Sequence, residues 1–218
     1  FVAVAVVSGG AFILSDGGKT VPDDELQKTV NMGPSLEGLN LDGSSEEKTS
    51  KLVEGANKFA FDLFSKLADG DGNSFMSPYS IHTALSMTYE GARGETGKGM
   101  ADALNLPTDE DVRRPAFASL HEKLNTDRQM ELRTANALWP QENYPFYDDY
   151  LEAIKKHYLA RIESLDYESA PGEAVERING WAAERTEKRI KKILQSVDPM
   201  TRMVLTNAIY FKGSWLIP

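Results

Sequence analysis

The chain has 218 residues, enough for one large domain or two small ones with a sizeable core. A formal charge of -9 argues against a nucleic-acid-binding protein, which needs a basic face. The absence of cysteine excludes disulfides, thiolate chemistry and cysteine-ligated zinc.

Residues 1–14 are almost wholly apolar, yet shorter than the about 20 residues of a membrane-spanning helix. Gly9-Gly10 would weaken any helix there, and the first residue is Phe1 rather than Met. We read this segment as the remnant of a signal peptide or membrane anchor. The plainer alternative is a buried strand, which Val2, Val4 and Val6 would suit. Residues 15–50 are polar, acidic and Gly-rich, the composition of a flexible linker. Together the two segments predict an exported or extracellular protein, free or tethered to a membrane.

The folded part is expected over 51–218. Val53, Ala56, Phe59, Ala60, Leu63, Phe64 and Leu67 recur at helical spacing. Asp69 to Asn73 supplies turn chemistry, and Ser74-Phe75-Met76 reads as a short extended piece. Ser77 is the expected N-cap of the next helix, with Pro78 at its first position. That helix carries Ile81, Ala84, Leu85 and Thr88 and breaks at Gly91 and Gly94. Further helices are predicted over 96–104, 109–124 and 147–158, and from Pro171 through Ala182, with a short one at 190–194. Strands are predicted over 129–138, 160–167 and 203–211. Lys188, Arg189, Lys191 and Lys192, interleaved with Glu184 and Glu187, read as the solvated face of a helix.

The last strand is nearly continuous in apolar residues, so it belongs inside a sheet covered on both faces. Asn207 interrupts it and needs a hydrogen-bond partner there. No downstream sequence supplies the strand's neighbours, so the chain reads as the front part of a larger α+β domain, with helices around a large sheet. Strands left unpaired predict a tendency to associate.

Candidate chemistry is sparse. Ser77 and His82 invite a nucleophile–base reading, that of a serine hydrolase. Ser77 sits at a cap, however, with no strained G-x-S-x-G turn around it, and His82 has no acid marked out to orient it. We read them as a cap serine and a helix-surface histidine. His82, His121 and His157 have no metal-binding spacing, and no cofactor is implied. A phosphate loop would need glycine at Ala92 and a hydroxyl at Gly99, so the segment from Gly91 to Gly99 is not one. Arg113, Arg114 and Lys123 lie on one predicted helix, but neighbouring acids offset them, which argues against a heparin-like cofactor.

Five segments carry a resemblance to a known family. Asn73-Ser-Phe-Met-Ser-Pro-Tyr-Ser-Ile81 resembles the N-x-F-x-S-P-x-S-I segment of serpins. Gly91-Ala-Arg-Gly-Glu-Thr96 resembles their G-A-R-G-x-T turn. Thr134-Ala-Asn-Ala-Leu138 and Ile178-Asn-Gly-Trp181 resemble a sheet strand and a helix motif. Leu205 to Trp215 resembles L-x-N-A-I-Y-F-K-G-x-W. The resemblance covers Glu54 to Pro218, about the first half of a serpin domain. One departure is Lys188, where many members have glycine.

The resemblance implies a serpin-like fold and a suicide inhibitor of serine proteases, or in some members of cysteine proteases. The protease would cleave an exposed loop, and the acylated loop would insert into the main sheet, driven by release of a metastable state. It implies that Ser77, Ser80 and Asn207 form a "shutter" beneath the parting strands. Trp215 would mark the "breach" where insertion begins. Asn179 and Trp181 would lie on the helix that shifts to let the loop pass. The loop itself is expected beyond residue 218. A non-inhibitory serpin, acting in storage, transport or as a chaperone, is the alternative.

Overall fold

The structure is a computed structural model that describes residues 2–7, 13–15, 44–67, 76–126 and 131–213. The expected turn at Asp69 to Asn73, the extended residues Ser74 and Phe75, the linker from 16 to 43 and the breach residue Trp215 lie outside the described residues.

A mixed sheet is the centre of the fold. Its strands are β1 (Val2–Val7), β2 (Ile13–Ser15), β3 (Glu131–Pro140), β4 (Arg161–Ile162) and β5 (Met203–Lys212). The spatial order is β2-β1-β5-β3-β4. β3 and β5 pair antiparallel along their whole length, with Asn136 opposite Asn207. β4 runs parallel to β3. The helices are α1 (Ser44–Leu67), α2 (Pro78–Tyr89), α3 (Gly94–Leu104), α4 (Glu110–Thr126), α5 (Asp148–His157) and α6 (Pro171–Arg185).

Both faces of the sheet are covered, because alternate residues of a strand point to opposite sides. On one face Ala137, Trp139, Val204, Ala208 and Tyr210 pack with Ile178, Trp181 and Ala182 of α6. The rings of Trp139 and Trp181 meet edge-on at 5.9 Å. On the other face Leu138 and Leu205 join Leu52, Phe59, Ile81, Ala84, Phe117 and Ile154. This explains why β5 reads as an unbroken apolar run rather than an alternating one.

The N-cap of α2 is as expected: Ser77 is extended, its Oγ accepts from the Ser80 amide, and Pro78 starts the helix. Elsewhere four expectations need correction. First, α1 begins at Ser44, ahead of the expected start near Lys51. Its far end also leaves Phe61, Phe64 and Leu67 exposed, although Phe64 and Leu67 belong to the apolar stripe. Second, β4 covers only Arg161–Ile162 of the predicted 160–167. Beyond it, spaced bonds from the Glu163 amide to Leu138 O and the Leu165 amide to Pro140 O keep the chain beside β3.

Third, residues 190–194 are not helical, and Lys188 to Lys192 therefore share no helix with Glu184. α6 ends in a turn where Glu187 and Lys188 take φ of 50° and 58°. Lys188 thus holds the left-handed conformation for which glycine is usual. Its amide closes the turn onto Ala183 O at 2.7 Å. Fourth, β1, from upstream, pairs with β5 on the edge away from β3, where the sequence alone offered no partner. Val2–Val7 is a strand in this structure.

Candidate functional site

The middle of the sheet holds a buried polar line. Asn207 on β5 is fully buried, and its Nδ2 donates to Asn136 Oδ1 at 2.6 Å. Asn136 Nδ2 in turn donates to the Tyr158 carbonyl at 2.7 Å. Asn207 therefore has the partner its strand position demands, and that partner is the matching Asn-Ala of β3. The other end is incomplete. Asn207 Oδ1 accepts no hydrogen bond among the described residues. Nor does Ser80 Oγ, on the α2 turn beneath the sheet, make one. α2, which carries Ser80, packs against both β1 and β5, the strand of Asn207.

The structure brings Ser77 and Ser80 together at the start of α2, where the Ser80 amide donates to Ser77 Oγ at 3.3 Å. Asn179 and Trp181 are on α6, across the opposite face of the sheet. Trp181 is buried against Trp139. Asn179 is a clamp: its Oδ1 accepts from the amides of Ile193 (2.8 Å) and Leu194 (2.9 Å), and its Nδ2 donates to Leu194 O at 2.8 Å. These three bonds fix the non-helical backbone at 193 and 194 against α6.

His82 is not on a helix surface. It is buried, stacked on Phe117 with the tilted ring of Phe59 on its other side, and its Nε2 lies 2.9 Å from Leu104 O. Burial lowers its pKa, opposed by that backbone bond, so the ring stays neutral. With Ser77 Oγ engaged by a backbone amide and His82 Nε2 by a carbonyl, the two do not form a nucleophile–base pair. Among the described residues no group of three or more His, Cys, Asp or Glu could hold a metal.

Sequence reasoning missed a second buried network. Glu90, at the end of α2, accepts from Arg113 Nε (2.9 Å) and Nη2 (3.3 Å), Arg114 Nε (3.1 Å) and the Tyr158 hydroxyl (2.8 Å). Burial pushes the Glu90 carboxyl up, but the Arg113 hydrogen bonds and charge outweigh it, leaving the group below the usual carboxylate range. Arg114 also pairs with Glu110, and Lys123 lies 3.7 Å from Glu46. The three cations weighed for a heparin-like cofactor all face carboxylates. The signal available in the sequence was a lone Glu just before a Gly-rich turn. Its partners could not be read, since they lie on other elements.

The family model "Serpin (serine protease inhibitor)" matches residues 54–218. An uncharacterised serpin-like protein of Thermococcus kodakarensis is 42% identical over 183 residues, covering 83% of this chain and 43% of that protein. Human serpin B8 is 42% identical over 168 residues, covering 75% of this chain and 45% of its own length. Among solved structures, emu ovalbumin aligns with a TM-score of 0.71 at 31% identity, over 76% of this chain and 48% of that one. The thermophilic serpin tengpin, in its latent state, aligns with a TM-score of 0.69 at 31% identity, over 81% and 46%. The chain spans less than half the length of each of these relatives, so the domain is still the incomplete one expected.

Proposed function

This chain belongs to the serpin family, and from that membership we propose that the complete protein is an exported inhibitor of serine proteases and not an enzyme. The target would cleave a loop lying beyond residue 218. The acylated loop would then join the sheet beside β5, on the edge away from β3, and carry the protease with it. Ser77, Ser80 and Asn207 would be the shutter under that edge, and Trp215 would mark the breach where entry begins. Asn179 and Trp181 would hold α6 over the face that has to yield.

The observation that supports this reading best is that two buried atoms, Ser80 Oγ and Asn207 Oδ1, have no partner among the described residues. A buried polar atom without a partner costs about 1–3 kcal/mol. In a sheet with one arrangement, apolar residues would serve better. Hydroxyl and amide groups are worth keeping where a second arrangement of the strands supplies their partners.

The test is to extend the coding sequence past Pro218 and incubate the full-length protein with trypsin-like and chymotrypsin-like proteases. A complex that survives denaturation and contains both chains supports the proposal. Cleavage of the loop without such a complex would assign the protein to the non-inhibitory serpins instead.

A further inference from the structure

α6 lies across the sheet on an apolar stripe, and two ion pairs tie it to one side of the sheet. Arg177, in the middle of α6, grips Glu163 with two bonds: its Nε donates to Oε1 at 2.5 Å and its Nη2 to Oε2 at 2.9 Å. Glu163 directly follows β4, and its own amide donates to Leu138 O of β3. Arg161 of β4 holds the same carboxylate at 2.6 Å. Just past the end of α6, Glu187 Oε1 accepts from Arg133 Nη1 of β3 at 2.7 Å. The Arg133 guanidinium sits over the Tyr210 ring, 5.4 Å from its centroid, which fixes its place. Glu187 is fixed by the tight turn in which the Lys188 amide meets Ala183 O. Both pairs thus run to the β3–β4 side of the sheet. Toward β5, α6 presents apolar side chains that pack with Val204, Ala208 and Tyr210.

Apolar contact is non-directional and can part anywhere along its length. A charge-assisted hydrogen bond holds its atoms at one distance and in one geometry. Two such ties, one mid-helix and one past its end, define a line about which α6 can turn without breaking either. Lifting on the β3–β4 side breaks both, whereas lifting on the β5 side breaks neither. We propose that α6 is a hinged cover, with Arg177–Glu163 and Glu187–Arg133 as its hinge, and that it opens from the β5 side. The backbone at 193 and 194 travels with it, because Asn179 fastens that segment to the helix. The hinge does not depend on protease inhibition. Its use as the passage for a cleaved loop rests on the inhibitory reading.

The test is thiol labelling of the full-length protein. Residues 1–218 contain no cysteine, so a label on an introduced thiol is located by peptide mass spectrometry. Ala137 on β3 and Ala208 on β5 are both buried on the face that α6 covers. Ala84 on α2 is buried on the opposite face and reports unfolding of the whole domain. Ala208→Cys should be alkylated about three times as fast as Ala137→Cys or faster, and Ala84→Cys slowest of the three. Glu163→Gln together with Glu187→Gln removes the hinge. Ala137→Cys should then react about threefold or more faster and approach Ala208→Cys, as the loss of two partly exposed ion pairs implies.

Equal labelling of Ala137→Cys and Ala208→Cys, or the reverse order, overturns the hinge. So does labelling of both at the rate of Ala84→Cys, since α6 then opens only when the whole domain unfolds. An unchanged Ala137→Cys rate in the protein lacking both acids shows that these ion pairs are not the pins, and overturns the proposal too. Cooperative unfolding in urea checks each variant. Val204→Cys, also buried under α6 on β5, stands in for Ala208→Cys if that protein does not fold. Faster labelling on the β5 side in a protein that traps no protease supports the hinge and defeats only the inhibitory reading.

Discussion

At the scale of single residues, the buried carboxylate of Glu90 carries more of the fold than the serines that drew attention first. Its side chain and that of Arg113 are almost wholly out of water, at 1% and 4% exposure. Removing one partner of such a pair strands the other. Glu90→Gln is expected to destabilise by about 3 kcal/mol, read as a lower urea midpoint. The sign with pH follows from its folded pKa lying below the usual 4.5. The stabilisation is fully present above about pH 4.5 and is lost as pH falls through the lowered folded value. The variant should therefore have a flatter stability profile below that pH; an unchanged acid limb would refute the assignment.

Gly55 is the other residue with a sharp expectation. A Cβ there would lie 2.1 Å from the Asn105 carbonyl oxygen, where α1 crosses the left-handed end of α3. The clash is with backbone, which cannot swing aside. Gly55→Ala should cost about 2 kcal/mol or more despite its better helix propensity, because overpacking outweighs that gain. A neutral or stabilising result by chemical denaturation would show that the two helices can part.

At the scale of elements, the segment after α6 depends on one side chain. Asn179 supplies the hydrogen-bond partners of the backbone at 193 and 194. With alanine there, two buried amides and a carbonyl lose their partners. Asn179→Ala is expected to speed hydrogen exchange at Ile193 and Leu194 by about tenfold or more, as a loss of 1–3 kcal/mol per orphaned group implies. The β3–β5 ladder should stay protected in the same experiment. Uniform acceleration across the sheet would mean that Asn179 supports the whole α6–sheet contact and not this segment alone.

At the scale of the whole molecule, the histidines set a second pH dependence. His121 and His157 are both lowered to about 4, chiefly by burial, and His82 is lowered for the same reason. All three are neutral in the folded protein. Unfolding returns them to about 6.5, where they take up protons. The stability they contribute is complete above about pH 6.5 and falls away toward pH 4, before Glu90 begins to count. The urea midpoint should drop between pH 7 and 5, with proton uptake on unfolding measurable by calorimetry in two buffers. A flat midpoint across that range would show the rings to be solvated.

What the sequence determined by itself was local and periodic. The Ser77-Pro78 cap, the amphipathic spacing from Val53 to Phe59 and the apolar run of β5 follow from chemistry within a few residues, and the serpin motifs mark the family. Tertiary structure decided the partners. Asn207 needed a hydrogen bond, but only the antiparallel register put Asn136, 71 residues away, opposite it. Glu90 needed countercharge and a donor, and Tyr158, 68 residues away, completes it. The helix expected at 190–194 gave way to a segment held by a side chain on α6, and nothing in the residues of β1 named β5 as its partner. Hydrophobic periodicity says which face of an element is buried, not what buries it, so pairings between distant segments were settled only by packing.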